Sequence, residues 1–126
     1  MRVEDWKDLA EGSRFFNEHS FWHAHEAWEG VWRRHPEESR IFFQGIIQLA
    51  AAYDLLLVRK RYGGAMRNFE KATERLKLFP DCFLGFDVAT LLRAIDTVQT
   101  EAAGNMEGAL DRFTPSFVPR IVLSRR

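Results

Sequence analysis

The ten residues His23 to Trp32, HAHEAWEGVW, bring together two histidines, two glutamates and two tryptophans. Histidine and glutamate within one helical turn are the residue types of metal coordination and of acid–base catalysis. On a helix advancing about 100° per residue, Glu29 lies about 40° from His25, and Trp32 about 20° to its other side. Phe21, Trp22 and Trp28 fall within about 60° of the same direction. The wheel therefore sets His25 and Glu29 in an aromatic, buried face. It sends His23, Ala27, Gly30 and Arg34 to the opposite side and leaves Glu26 and Arg33 at the edge. A buried Glu29 must be paired, hydrogen-bonded, metal-bound or protonated, because an isolated charge is costly to bury.

Partners are expected on the next apolar helix, where Arg40, Gln44, Gln48 and Asp54 share an arc with Ile47, Ala51 and Leu55 interleaved. A solvent face would not alternate amides with Ile and Leu in this way. The pattern predicts a helical hairpin over 20–61, with His25 and Glu29 facing Arg40, Gln44 or Gln48. Gly45, costly inside a helix by about 1 kcal/mol, marks a close approach by another helix or an aromatic ring.

Three chemistries fit these residues. In the first, His25 and Glu29 share one divalent metal ion, with Glu26, Asp54 or water as a further ligand. The segment reads HExxE and so misses the zinc-protease pattern HExxH at its last residue. A di-iron carboxylate centre needs Glu-x-x-His on two helices, and no such pair is present. In the second, Glu29 has a raised pKa in its apolar face and His25 titrates near neutrality, a pair suited to proton transfer. In the third, His25, Glu29, Arg40, Gln44 and Gln48 satisfy one another and fix the hairpin's register, as part of a non-catalytic interaction or structural module. No reaction or small-molecule substrate can be named from these residues.

The elements that must position the site are helical. The 126 residues carry apolar spacing of helical period throughout, with no strand-like alternation and no Asn-Gly hairpin signal, so the expected fold is a single all-α domain of about five helices spanning 1–126. The first helix should run from Val3 to Asn17, burying Trp6, Leu9, Ala10 and Phe16. The second should start at Ser20 as N-cap and end at Arg34, because His35 precedes Pro36. The third, Glu37 to Arg61, is apolar almost all round and should be central, with Gly63-Gly64 ending it. The fourth carries the stripe Ala65, Phe69, Ala72, Leu76 and Phe79, and Pro80 should terminate it. A loop, PDCFLGF, precedes a fifth helix from Asp87 to Ala103 with Val88, Leu91, Leu92, Ile95 and Val98 inward. MEGALDRF can add one more turn, and the tail 114–126 should be extended, packing through Phe117, Ile121 or Leu123.

Composition narrows the partners. Eighteen basic and eighteen acidic side chains give no net charge, so no field draws the chain to nucleic acid. Cys82 is the only cysteine; set between Phe79 and Phe83, it should be a small buried group. The N-terminus is too acidic for a signal peptide, and the apolar stretch IIQLAAAYDLLLV carries a Gln and an Asp, short of a membrane span. A cytoplasmic protein with no membrane partner is expected. Trp22, Trp28 and Trp32 on one face are many for a small domain to bury alone, which points to a homodimer.

The stretch FNEHSFWHAHEAWEGVWRRHPEESRIFFQGIIQLAAAYDLL resembles the domain-of-unknown-function family 309 of bacteria and archaea, small helical proteins with the motif His-x-x-x-Glu-x-x-Trp/Tyr. The motif reads His25, Glu29 and Trp32 here. Phe16-Asn17, Ala24, the run Arg40, Gln44, Gly45 and Gln48, and Gly64-Ala65 are also family-like, and the likeness covers roughly 15–79. This chain has His19 where the family often has glycine, and Asp54 where a histidine is common. The resemblance implies the helical fold and a site at the motif, and suggests metal binding there. It implies no particular reaction.

Overall fold

The computed structural model describes residues 1–35, 39–104 and 112–124. Among them are five α-helices: α1 (Val3–Asn17), α2 (Phe21–Arg34), α3 (Ser39–Tyr53), α4 (Tyr62–Leu76) and α5 (Val88–Gly104). Helix α1 packs on α2, α2 on α3 and α3 on α4, so the four form a run of antiparallel hairpins with α3 between α2 and α4. The core is aromatic and aliphatic, built on Phe16, Trp28, Phe42, Phe43, Tyr53, Phe69 and Phe86.

The turn between α1 and α2 closes through a pair of backbone bonds, His19 N–H to the Phe16 carbonyl (2.9 Å) and Ser20 N–H to that of Phe15 (2.8 Å). Such a closure needs a left-handed residue, and His19 supplies it with φ 63°. Glycine adopts that conformation without strain, so a glycine at this position is the simpler choice and His19 the costlier one. Ser20 stands at the α2 N-cap, but its side chain makes no capping hydrogen bond. The helix ends at Arg34 with His35 extended, as a residue before proline should be.

Several elements depart from expectation. In α1, Leu9 and Phe16 are buried, whereas Trp6 and Ala10 are exposed and Asp5, Gly12 and Ser13 are buried instead. The third helix does not run regularly to Arg61. After Tyr53 it widens into a π-helical turn, Asp54–Val58, and stops at Lys60, whose φ is 57°. Gly63-Gly64 does not end that helix but lies in the first turn of α4. Residues 36–38, where the third helix was expected to begin, lie outside the described residues, as does most of MEGALDRF. Helix α4 ends at Leu76, before Phe79 and Pro80.

The segment expected to be a loop holds a short hairpin, β1 (Cys82–Phe83) paired antiparallel with β2 (Phe86–Asp87). Leu84 and Gly85 turn it with φ of 49° and 84°, the positive pair of a two-residue hairpin turn. Cys82 is exposed, not buried. Asp87 caps α5, its Oδ1 accepting the Thr90 N–H at 3.0 Å.

Gly45 meets its expectation. A Cβ there would stand 3.0 Å from Leu76 Cδ2 and 3.3 Å from Arg75 Cβ, so its bare backbone lets α4 approach closely. The tail contains a short 3-10 turn, Pro115–Phe117, and continues without regular structure to lie against α1. Asn17 holds it from both sides, donating to the Ile121 carbonyl and accepting the Ile121 N–H, each at 2.7 Å. The Tyr53 hydroxyl donates to the Phe117 carbonyl at 3.1 Å, and burial pushes its pKa up. Asn17→Ala should cost about 1–2 kcal/mol by leaving both Ile121 groups unpaired. Amide exchange at Ile121 should quicken in that variant; unchanged protection would mean that the tail is held by apolar packing alone.

Candidate functional site

The side of α2 that packs into the core carries Phe21, Ala24, Trp28 and Val31. His25 and Glu29 stand beside that arc, not at its centre. Their side chains are 22% and 30% exposed, so the pair expected to be buried is half-buried. The aromatic face is split too. Trp28 is fully buried, Trp32 is half-buried and Trp22 is 51% exposed.

His25 Nε2 and Glu29 Oε2 lie 3.6 Å apart, too far for a hydrogen bond. Glu29 is instead paired through Oε1 with Arg33. The His25 ring stacks on Trp22, with centroids 5.1 Å apart and planes within 9°. Arg40 lies over the Trp32 ring at 4.0 Å, a cation–π contact worth about 0.5–2 kcal/mol. Gln44 and Gln48 are half-buried, and among the described residues neither side chain makes a hydrogen bond with His25, Glu29 or Arg40. The expected mutual network is therefore not formed. Three of its buried atoms, His25 Nδ1, Arg40 Nε and Gln48 Oε1, have no partner among the described residues.

Next to His25 opens a pocket of about 180 Å³, lined by Phe21, Trp22, His25, Asp54, Leu55 and Arg59 among others. The π-helical turn places its polar end: its wider turn brings Arg59 back beside Asp54, and Arg59 Nε bonds Asp54 Oδ2 at 2.8 Å. The same guanidinium lies 5.4 Å from the Trp22 ring. Asp54 and His25 thus line one pocket. Trp22 and Arg59 were not foreseen as its walls. No sequence signal marks the extra residue in the turn, and a regular helix would have carried Arg59 away from Asp54.

Glu26 is exposed. His23 is exposed as expected, with its ring 5.2 Å from Phe15. Among the described residues, no group of three or more His, Cys, Asp or Glu side chains is placed to hold a metal ion. His25 and Glu29 remain a two-donor arrangement. Their separation suits bonds of about 2.0–2.2 Å to one shared ion.

A second polar cluster went unforeseen. Asp5, with its side chain 3% exposed, accepts the Arg2 N–H at 3.0 Å and Arg34 Nε at 2.7 Å, and lies 3.0 Å from His35 Nε2. Asp8 takes the other arm of Arg34 at 2.6 Å. Burial pushes the Asp5 carboxyl up, but these hydrogen bonds and the Arg34 charge outweigh it and hold the pKa at about 2. The signal was readable: the acidic first turn of α1 meets the basic last turn of α2 in an antiparallel hairpin.

These features define a class: a single compact helical domain with a half-satisfied polar seam beside a small pocket on its second and third helices. The sequence model of the domain of unknown function DUF309 matches residues 9–68, from within α1 to within α4, which supports assignment to that family. No curated protein matches it.

Proposed function

We propose that the protein binds a divalent metal ion at the α2–α3 seam, with His25 and Glu29 as its two protein donors and water completing the shell. The observation that carries this reading is the open state of the pair: two donors 3.6 Å apart, not bonded to each other, with His25 Nδ1 buried and without a partner among the described residues. A seam that served only to fix the hairpin would close such bonds, since each buried orphan costs about 1–3 kcal/mol. Two protein donors make an open and exchangeable site, which leaves coordination positions for a further ligand. The neighbouring pocket is below the roughly 300–1,000 Å³ of drug-sized sites, so such a ligand would be small.

A structural seam is the second reading. Glu29 is already paired with Arg33, and Arg40 is stacked on Trp32, so part of the seam is held without any ligand. The two readings separate by plasma mass spectrometry on untagged protein purified without chelator, together with thermal melts. Metal binding predicts retained transition metal that His25→Ala loses. It also predicts a stabilisation of about 2.7 kcal/mol at a hundredfold excess over the dissociation constant, roughly 10 °C in melting temperature. Protein that retains no metal, and whose melting point zinc, manganese and nickel all leave unmoved, would leave the structural seam.

A further inference from the structure

The pocket of about 180 Å³ beside His25 has apolar walls, Phe21, Trp22, Ala51 and Leu55, and its polar groups are His25, Asp54 and Arg59. Asp54 is withdrawn from water: its side chain is 12% exposed and pairs with Arg59 Nε at 2.8 Å. The Arg59 side chain is 53% exposed, so the charge this pocket presents to solvent is positive. Asp54 meets the guanidinium through Nε, and among the described residues the two terminal nitrogens have no hydrogen-bond acceptor. Trp22 stands exposed at the same edge, its ring stacked on His25 and 5.4 Å from the guanidinium. The π-helical turn fixes this arrangement. Arg59 N–H donates to the Asp54 carbonyl at 2.9 Å and Arg61 N–H to that of Leu55 at 2.7 Å, closing the turn behind the pocket. Such irregular turns are rare and recur at functional sites.

We infer that this pocket binds a small monocarboxylate with a short apolar body, its carboxylate on the terminal nitrogens of Arg59 and its body against Trp22, Ala51 and Leu55. A guanidinium carries five donors in one plane, so Nε holds Asp54 while the terminal pair takes a carboxylate as a fork. Asp54 orients that fork in advance, which lowers the ordering cost of binding. One negative charge is what the site supports. Asp54 already offsets part of the guanidinium charge, and a dianion such as phosphate would add repulsion with no second permanent cation in the lining. The apolar walls disfavour a polar body, because a hydroxyl or amide placed there loses water without gaining a partner. The volume lies below that of drug-sized sites, which limits the body to a few carbons. An amine is the poorer occupant, since the exposed guanidinium repels it and Asp54 is already held. The inference stands whether or not a metal binds at His25 and Glu29.

The test is a titration of isotope-labelled, chelator-treated protein with isovalerate, followed by nuclear magnetic resonance. Saturable shifts are expected at the Trp22 indole, the His25 ring and the Arg59 guanidinium, with a dissociation constant in the millimolar range or tighter. Isovaleramide, the uncharged isostere, should bind about tenfold more weakly, and Arg59→Gln should lose isovalerate by a similar factor. Arg59→Gln also removes the partner of Asp54, so Ala51→Leu serves as a second variant. It fills the pocket from its wall, leaves the ion pair in place and should lose binding too. The absence of a saturable shift overturns the inference. So does an amide that binds as well as the acid, or either variant at wild-type affinity. Shifts spread over arginines remote from the pocket, or tighter binding of inorganic phosphate at the same residues, overturn it equally. Because the protein is stripped of metal, this result and the test of metal binding succeed or fail separately.

Discussion

Gly12→Ala should lower stability by about 3 kcal/mol, among the largest effects of any single substitution in this molecule. The fully buried Trp28 indole lies against Gly12, and a Cβ there would collide with Nε1, Cδ1 and Cε2 of the ring. The ring has no room to retreat. Phe16 and Phe86 pack around it, and its N–H donates to the Leu9 carbonyl at 3.2 Å. That carbonyl also accepts the Ser13 hydroxyl at 2.8 Å, so displacing the indole disturbs a shared acceptor. Alanine gains about 1 kcal/mol over glycine in helix propensity, which offsets part of the steric cost but not most of it. Urea denaturation followed by tryptophan fluorescence measures the difference. A variant as stable as wild type would mean that α1 and α2 do not meet at this contact.

The second large effect belongs to Asp5. Its folded pKa is about 2 against an ordinary value of 3.8, so the folded state favours the ionised form. The stability this contributes, about 2 kcal/mol, is fully present above the unfolded pKa and is lost as pH falls through the folded one. Asp5→Asn should remove a similar amount at neutral pH, and more where Arg34 and His35 are left without their acceptor. Its stability should also fall less than that of wild type between about pH 4 and about pH 2. Glu11 and Asp87, whose pKa values are also lowered, add to the acid response of both proteins and cancel in the comparison. Parallel pH profiles for the two proteins would remove Asp5 from the account.

The helical fold was legible because each buried face repeats with helical period, as the stripe Ala65, Phe69, Ala72 and Leu76 does. The close approach at Gly45 was legible from the residue's cost in a helix. The centre of the buried arc on α2 was not. A wheel orders residues by angle, but it does not say where the neighbouring helix sits. Centring the face on His25 placed it about 80° from the arc that α1 and α3 bury, which runs through Ala24, Trp28 and Val31. That rotation explains at once why Glu29 is half-exposed, why Trp22 is exposed and why Trp28 alone of the three is deep in the core. The hairpin was hidden for a different reason: Leu84 occupies a left-handed position that sequence patterns reserve for Asn, Asp or Gly.

The clasp between Asn17 and Ile121 joins residues 104 apart, while the main helix contacts join neighbours in sequence. This has a consequence for the order of folding. Sequential hairpins form early, because their closure entropy is small. The clasp closes a loop over most of the chain and so forms after the rate-limiting step. Asn17→Ala should therefore speed unfolding and leave the folding rate almost unchanged, and a slowed folding limb in stopped-flow kinetics would reverse that order. The tail then acts as a latch on a domain already built, setting how long the native state lasts more than how fast it is reached.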